Sequence, residues 1–83
     1  MTDLARTPKQ LGNLIRRARK HRGLNQTQLG ERAGLRQETI SLIEAGNPAT
    51  RLDTILAVIT ALDLEFRVEP RTRKTAADIE DIF

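Results

Sequence analysis

Residues 24–46 read LNQTQLGERAGLRQETISLIEAG, and the fold turns on this stretch. It fits two short helices joined by a tight turn. Leu29, Ala33, Leu35, Ile40 and Ile43 recur at spacings that face them inward together. Gly34 sits in the turn, and the second helix opens on polar side chains. Two crossed helices joined by a turn of about three or four residues that contains Gly form a helix-turn-helix.

The flanks extend the helical pattern. Thr7-Pro8 predicts a helix start, since Thr caps and Pro suits the first helical position. That helix is expected over 8–22, with Leu11, Leu14, Ile15 and Ala18 on its apolar stripe and Gly23 as its stop. Asn25 caps a second helix over 26–33, and Gly34 ends it. The third is expected over 36–45, before the break at Gly46-Asn47-Pro48. Thr50 is the next candidate cap, with Asp53 in the first turn after it. The fourth helix, 51–62, carries Leu52, Ile55, Leu56, Ile59 and Leu62, widened by Ala57, Val58 and Ala61. It is expected to be the main wall of the core.

The period then changes from helical to alternating. Leu64-Glu65-Phe66-Arg67-Val68-Glu69 alternates apolar with charged, a strand pattern that Pro70 ends. The chain offers no second strand to pair with it, and a lone strand leaves its backbone groups open. A two-fold dimer satisfies them by pairing two copies antiparallel, with Leu62, Leu64, Phe66 and Val68 at the interface. The other solution is an extended segment laid on its own core. Beyond it, Arg71, Arg73 and Lys74 form a basic hinge, and residues 75–83 are acidic with Ile79, Ile82 and Phe83. The expected divisions are a mobile lead-in over 1–6, a helical domain over 7–63, a dimerising strand over 64–70 and a flexible tail over 71–83.

Composition limits the function. A chain of 83 residues makes one domain with a modest core. It has no Cys, so neither disulfides nor thiolate metal sites are available. No apolar run reaches transmembrane length and the start lacks a signal-peptide core, so a cytoplasmic protein with no membrane partner is expected. Two Phe and no Trp or Tyr argue against stacking platforms for single strands. The net charge is +3, unevenly spread. Residues 1–36 hold nine Lys/Arg against two Asp/Glu, a balance of +7, and residues 37–83 hold five against nine, a balance of −4. A DNA-facing half and a protein-facing half would give this split, and so would a solvated basic helix face.

The second helix of a helix-turn-helix enters the major groove and touches bases with its first residues. Here those are Arg36, Gln37, Glu38 and Thr39. Gln bonds bidentately to adenine N6 and N7, which makes Gln37 the leading base contact. Arg36 either reads guanine or holds a phosphate. Glu38 either accepts from cytosine N4 or points to solvent. Thr39 and Ser41 reach phosphate or a thymine methyl. Gln26 and Gln28 open the preceding helix, where free amides favour phosphate. Asn47 and Arg51 flank the link to the fourth helix as candidate backbone contacts.

The pattern of Leu24, Gln26, Leu29, Ala33-Gly34, Ile40-Ser41, Ile43-Glu44 and Gly46 resembles the helix-turn-helix of the lambda repressor/Cro (Xre) family. With its flanking helices the resemblance covers about residues 8–62. It implies a mainly α, lambda-repressor-like domain of four to five helices that binds operator DNA as a dimer, with Gln26 on phosphate and Gln37 on a base. It also implies an internal ion pair between Arg19 and Glu44. Two residues depart from the family: Gly30 stands where Ala is usual, and Arg36 replaces the usual Ser/Thr cap. The short strand and tail, with Arg36-Gln37-x-Thr39-Ile40-Ser41, are similar to HipB-type antitoxins. That resemblance implies strand pairing across the homodimer, repression of its own operon, and a HipA-type serine/threonine kinase toxin as partner. It suggests Phe83 docks in a toxin pocket with Ile79 and Ile82 beside it. A tail that stays disordered or packs on its own dimer is the alternative.

Enzyme chemistry finds no support. His21 is the single His, inside a basic run, with no second ligand to make a metal site. Asp78, Glu80 and Asp81 cluster on a tail with no pocket to tune them. No Gly-rich phosphate loop is present, so no cofactor and no small-molecule substrate are expected. The expected protein is a sequence-specific DNA-binding repressor, the antitoxin of a toxin–antitoxin pair. A stand-alone or phage-type repressor and an adaptor that no longer binds DNA are the alternatives.

Overall fold

The computed structural model describes residues 3–71. Four helices build them. Thr7 Oγ1 accepts the Gln10 N–H at 3.1 Å, and Pro8 gives up only an N–H that no helical carbonyl would take. Helix α1 therefore runs Pro8–His21, with Arg19, Lys20 and His21 in its last turn, where the helix dipole favours cations. Helix α2, Gln26–Ala33, opens on a reciprocal capping box. Asn25 Oδ1 accepts from the Gln28 N–H and Gln28 Oε1 accepts from the Asn25 N–H, both at 2.8 Å. Helices α3, Gln37–Glu44, and α4, Leu52–Ala61, begin on Arg36 and Arg51, and neither arginine caps through its side chain.

The fourth helix differs from expectation at its start. Thr50 does not cap it; its hydroxyl donates to the Asn47 carbonyl at 3.2 Å and folds the link instead. The buried row of α4 is Ile55, Val58, Ile59 and Leu62, one helical stripe at i, i+3, i+4 and i+7. Leu52 and Leu56, expected in the core, lie one row round and are 62% and 39% exposed. Val58, expected only to widen the face, is fully buried.

Ile15, Leu29, Ile40 and Ile43 complete the core, with Leu11, Ala18, Leu24, Ala33, Leu35 and Ala61 packed around it. Helix α3 packs on both α1 and α2, and α2 packs on α4. The α1–α3 approach is close enough to require glycine. A Cβ on Gly12 would meet the carbonyl oxygens of Ile43 and Glu44. The crossing therefore brings the backbone of α1 directly against the end of α3.

Residues 64–70 form no helix, and the described residues contain no strand. A ladder needs a second strand, and the described residues of one copy supply none. Leu64, Phe66 and Val68 are 40%, 53% and 88% exposed, whereas Leu62 is fully buried in the chain's own core. Phe66 shares a hollow with Leu11, Ile43, Pro48 and Ile55. Leu64 shares another with Leu14, Ala18 and Ile59. Ile79, Ile82 and Phe83 lie outside the described residues.

Candidate nucleic-acid interface

The fold sets the start of α3 at the surface beside the start of α2. Arg36, Gln37 and Glu38 are exposed, Thr39 is half-buried and Ser41 is exposed. Arg36 makes no side-chain cap bond; the Thr39 N–H donates to the Arg36 carbonyl at 3.1 Å, and the Gln37 and Glu38 amides before it are left for an external acceptor. The turn that presents them is fixed by Gly34 at φ 72° and by the Leu35 N–H donating to the Gly30 carbonyl at 2.8 Å.

Behind this surface lies a buried ion pair. Arg19 Nε donates to Glu44 Oε2 at 2.7 Å and Arg19 Nη2 to Glu44 Oε1 at 3.0 Å. A third donor, Nη1, reaches the Leu24 carbonyl at 2.8 Å. Both residues are 8% exposed. The hydrogen bond to Glu44 pushes the Arg19 guanidinium above its ordinary pKa, against the opposing effect of burial. A pKa raised on folding adds stability below the group's ordinary value. That contribution is therefore constant across the neutral range and is lost only in strong alkali. The pair joins α1, the α1–α2 link and α3 at one point, which sets helix orientation more than it adds net stability.

The ion pair continues outward through two glutamines. Gln26 Nε2 donates to Glu44 Oε1 at 3.2 Å, and Gln37 Nε2 donates to Gln26 Oε1 at 2.6 Å. The structure thus connects Arg19, Glu44, Gln26 and Gln37, from the core to the exposed start of α3. Sequence reasoning missed these two glutamine bonds. The available signal was positional: Gln26 and Gln37 are each the first residue of one helix of the motif.

The other candidates are placed differently. The Gln28 side-chain oxygen is engaged in the capping box, which leaves its amide donors for any outside contact. Asn47 Oδ1 accepts from the Ala49 N–H at 3.0 Å, so Asn47 shapes the α3–α4 link. Arg51 makes two bonds to Asp53, at 3.2 and 3.1 Å. Their side chains are 81% and 68% exposed, and an exposed pair of this kind exchanges readily for a phosphate partner. No group of three or more His, Cys, Asp or Glu among the described residues could hold a metal ion. No helix among them is long and apolar enough to cross a membrane.

The chain is similar to the Antitoxin HipB of Escherichia coli (strain K12), 33% identical over 58 residues. That alignment covers 70% of this chain and 66% of the antitoxin. Among solved structures it is similar to a HipB–O4 20mer complex, with a TM-score of 0.79 at 27% identity, over 86% of this chain and 100% of that one. A HipA–HipB–O2–O3 complex matches with a TM-score of 0.77 at 29% identity, again over 86% of this chain and 100% of that one. The family model described as helix-turn-helix matches residues 15–68, a span that holds the ion pair, both glutamines and the core of all four helices. The chain belongs to the helix-turn-helix family.

Proposed function

We propose that the chain is a sequence-specific DNA-binding repressor and the antitoxin of a HipBA-type system. It binds operator DNA as a homodimer, represses its own operon and neutralises a serine/threonine kinase toxin of the HipA type. The observation that carries this reading is the exposed start of α3, with Gln37 held by Gln26, within a fold similar to HipB over 86% of the chain. Gln37 offers an amide to a base edge. Arg36, Thr39 and Ser41 flank it, Glu38 faces a cytosine or solvent, and Gln26, Gln28, Asn47 and Arg51 lie toward phosphates. The similar solved structures include one of HipB with a 20mer and one of HipB with HipA, which supports both partners.

Dimerisation falls to residues 64–70. Their exposed apolar residues Leu64, Phe66 and Val68 gain cover when two copies pair antiparallel, and Leu62 anchors the segment to the core. Recognition helices of the two copies then enter successive major grooves, about one helical turn apart. Ile79, Ile82 and Phe83 are the residues offered to the kinase.

A pull-down from native cells tests this function, with the full chain and with residues 78–83 removed. The full chain is expected to recover DNA from upstream of its own gene together with a protein kinase in stoichiometric amount. Removing the tail is expected to lose the kinase and keep the DNA. Selective DNA with no kinase would establish a lone repressor, and neither DNA nor kinase would overturn the reading.

A further inference from the structure

The hydrogen bonds between Arg19 and Gln37 converge on Glu44: Arg19 donates to it from one side, Gln26 donates to it from the other, and Gln37 donates to Gln26. We propose that Glu44 is a positioning residue for base preference: it fixes, through Gln26, which edge of the Gln37 amide faces a base. This inference rests on the base-contact reading of Gln37.

The direction follows from donor and acceptor chemistry. A guanidinium only donates and stays cationic, and the carboxylate it pairs with only accepts. The contact of Gln26 to Glu44 Oε1 at 3.2 Å must therefore be made by Nε2. With Nε2 turned inward, Gln26 presents Oε1 outward. Gln37 meets that oxygen at 2.6 Å, and only its own Nε2 can do so. Gln37 is left with one N–H and with Oε1, a donor beside an acceptor. Adenine N7 and the N6 amino group require that pair.

The two ends of an amide have nearly the same shape, so packing does not decide between them. Turned over, Gln37 would direct its oxygen to Gln26 and both N–H donors outward, toward acceptors such as guanine O6 and N7. A charge 8% exposed at Glu44 thus sets the polarity of a group on the surface. The half-buried Gln26 carries that polarity between them. Glu44 makes no DNA contact in this scheme.

Selection of bound sequences from a randomised duplex pool tests it, with each protein checked for folding by circular dichroism. Four full-length proteins are compared: the unaltered chain, Gln37→Ala, Gln26→Met, and Arg19→Met combined with Glu44→Gln. The combined variant removes both charges at once, so neither is stranded in the core, and leaves at position 44 an amide that can face either way. Gln26→Met keeps the ion pair and cuts the relay, which covers the case where the combined variant does not fold. Gln37→Ala is expected to relax one base position in each half-site. At that position the cut-relay and charge-free proteins are expected to lose adenine preference about tenfold, with other positions unchanged. Adenine preference retained in both, while Gln37→Ala loses it, would overturn the relay and leave the base contact standing. Equal weakening on every sequence would overturn it too, reducing Gln26 to a phosphate contact. If Gln37→Ala changes no position, the base-contact reading fails and the relay fails with it.

Discussion

Gly30 is the residue that helix propensity values wrongly. In the interior of α2 it costs about 1 kcal/mol relative to Ala. The packing reverses that argument. A Cβ at Gly30 would lie 2.6 Å from the Leu35 carbonyl oxygen, because the chain leaves α2 and folds straight back over it. Backbone cannot yield as a flexible side-chain tip would. Gly30→Ala is therefore expected to destabilise the domain by about 1–3 kcal/mol, read as a lower urea midpoint. A higher midpoint would show that the turn opens without strain. The glycine was legible in the sequence and its reason was not, since the reason depends on the path of the turn. Glu44 is similar. Its pairing with Arg19 came from family resemblance, and its bond to Gln26 came from nothing in the sequence, because the two are 18 residues apart and meet only through the crossing of α2 and α3.

At the scale of elements, the four helices stop in one manner. After each, one residue takes a left-handed conformation: Gly23 at φ 69°, Gly34 at 72°, Gly46 at 89° and Asp63 at 57°. The next amide then reaches back to the last turn, as Leu24 to Arg19, Leu35 to Gly30, Asn47 to Leu42 and Leu64 to Ile59. These are Schellman closures. Three were legible because glycine marks them. The fourth was not, because Asp bears the strain there and carries no such mark. Asp63→Gly is expected to stabilise the chain by about 0.5–1 kcal/mol, measured as a raised midpoint in thermal melting with an unchanged fold. A fall would mean the aspartate side chain has a role of its own. All four helix starts were legible to within a residue, but side-chain caps were legible only where a short polar side chain does the capping, at Thr7 and Asn25. At α3 and α4 an arginine occupies the cap position without bonding, and the search for a cap led to Thr50, one residue early.

At the scale of the whole molecule, the apolar balance is unfinished in a single copy. Phe66 is 53% and Val68 88% exposed, in a segment with no ladder partner among the described residues. Alternation in the sequence was enough to suggest pairing, but pairing between copies is a property of an assembly, and one chain cannot display it. Phe66→Glu places a charge at the centre of the proposed seam and is expected to halve the mass seen in sedimentation. Helical content should remain, since Phe66 lies outside the buried core. A dimer that persists would move the contact elsewhere. A monomer that also loses DNA affinity would tie recognition to the two-fold arrangement.

The outward side of α3 has a further consequence. Arg36, Glu38 and Ser41 are exposed, and substitutions at such surface positions usually change stability by no more than about 0.5 kcal/mol. The architecture that presents them sits in other residues: Gly12, Gly34 and the Arg19–Glu44 pair. On the proposed reading, most of the addressing letters thus lie outside the folding set, and only the Arg19–Glu44 pair belongs to both. A duplicated copy of this chain could drift to a new target through those surface letters without passing through an unfolded intermediate. Sister copies in one genome could in that way become deaf to each other's operators.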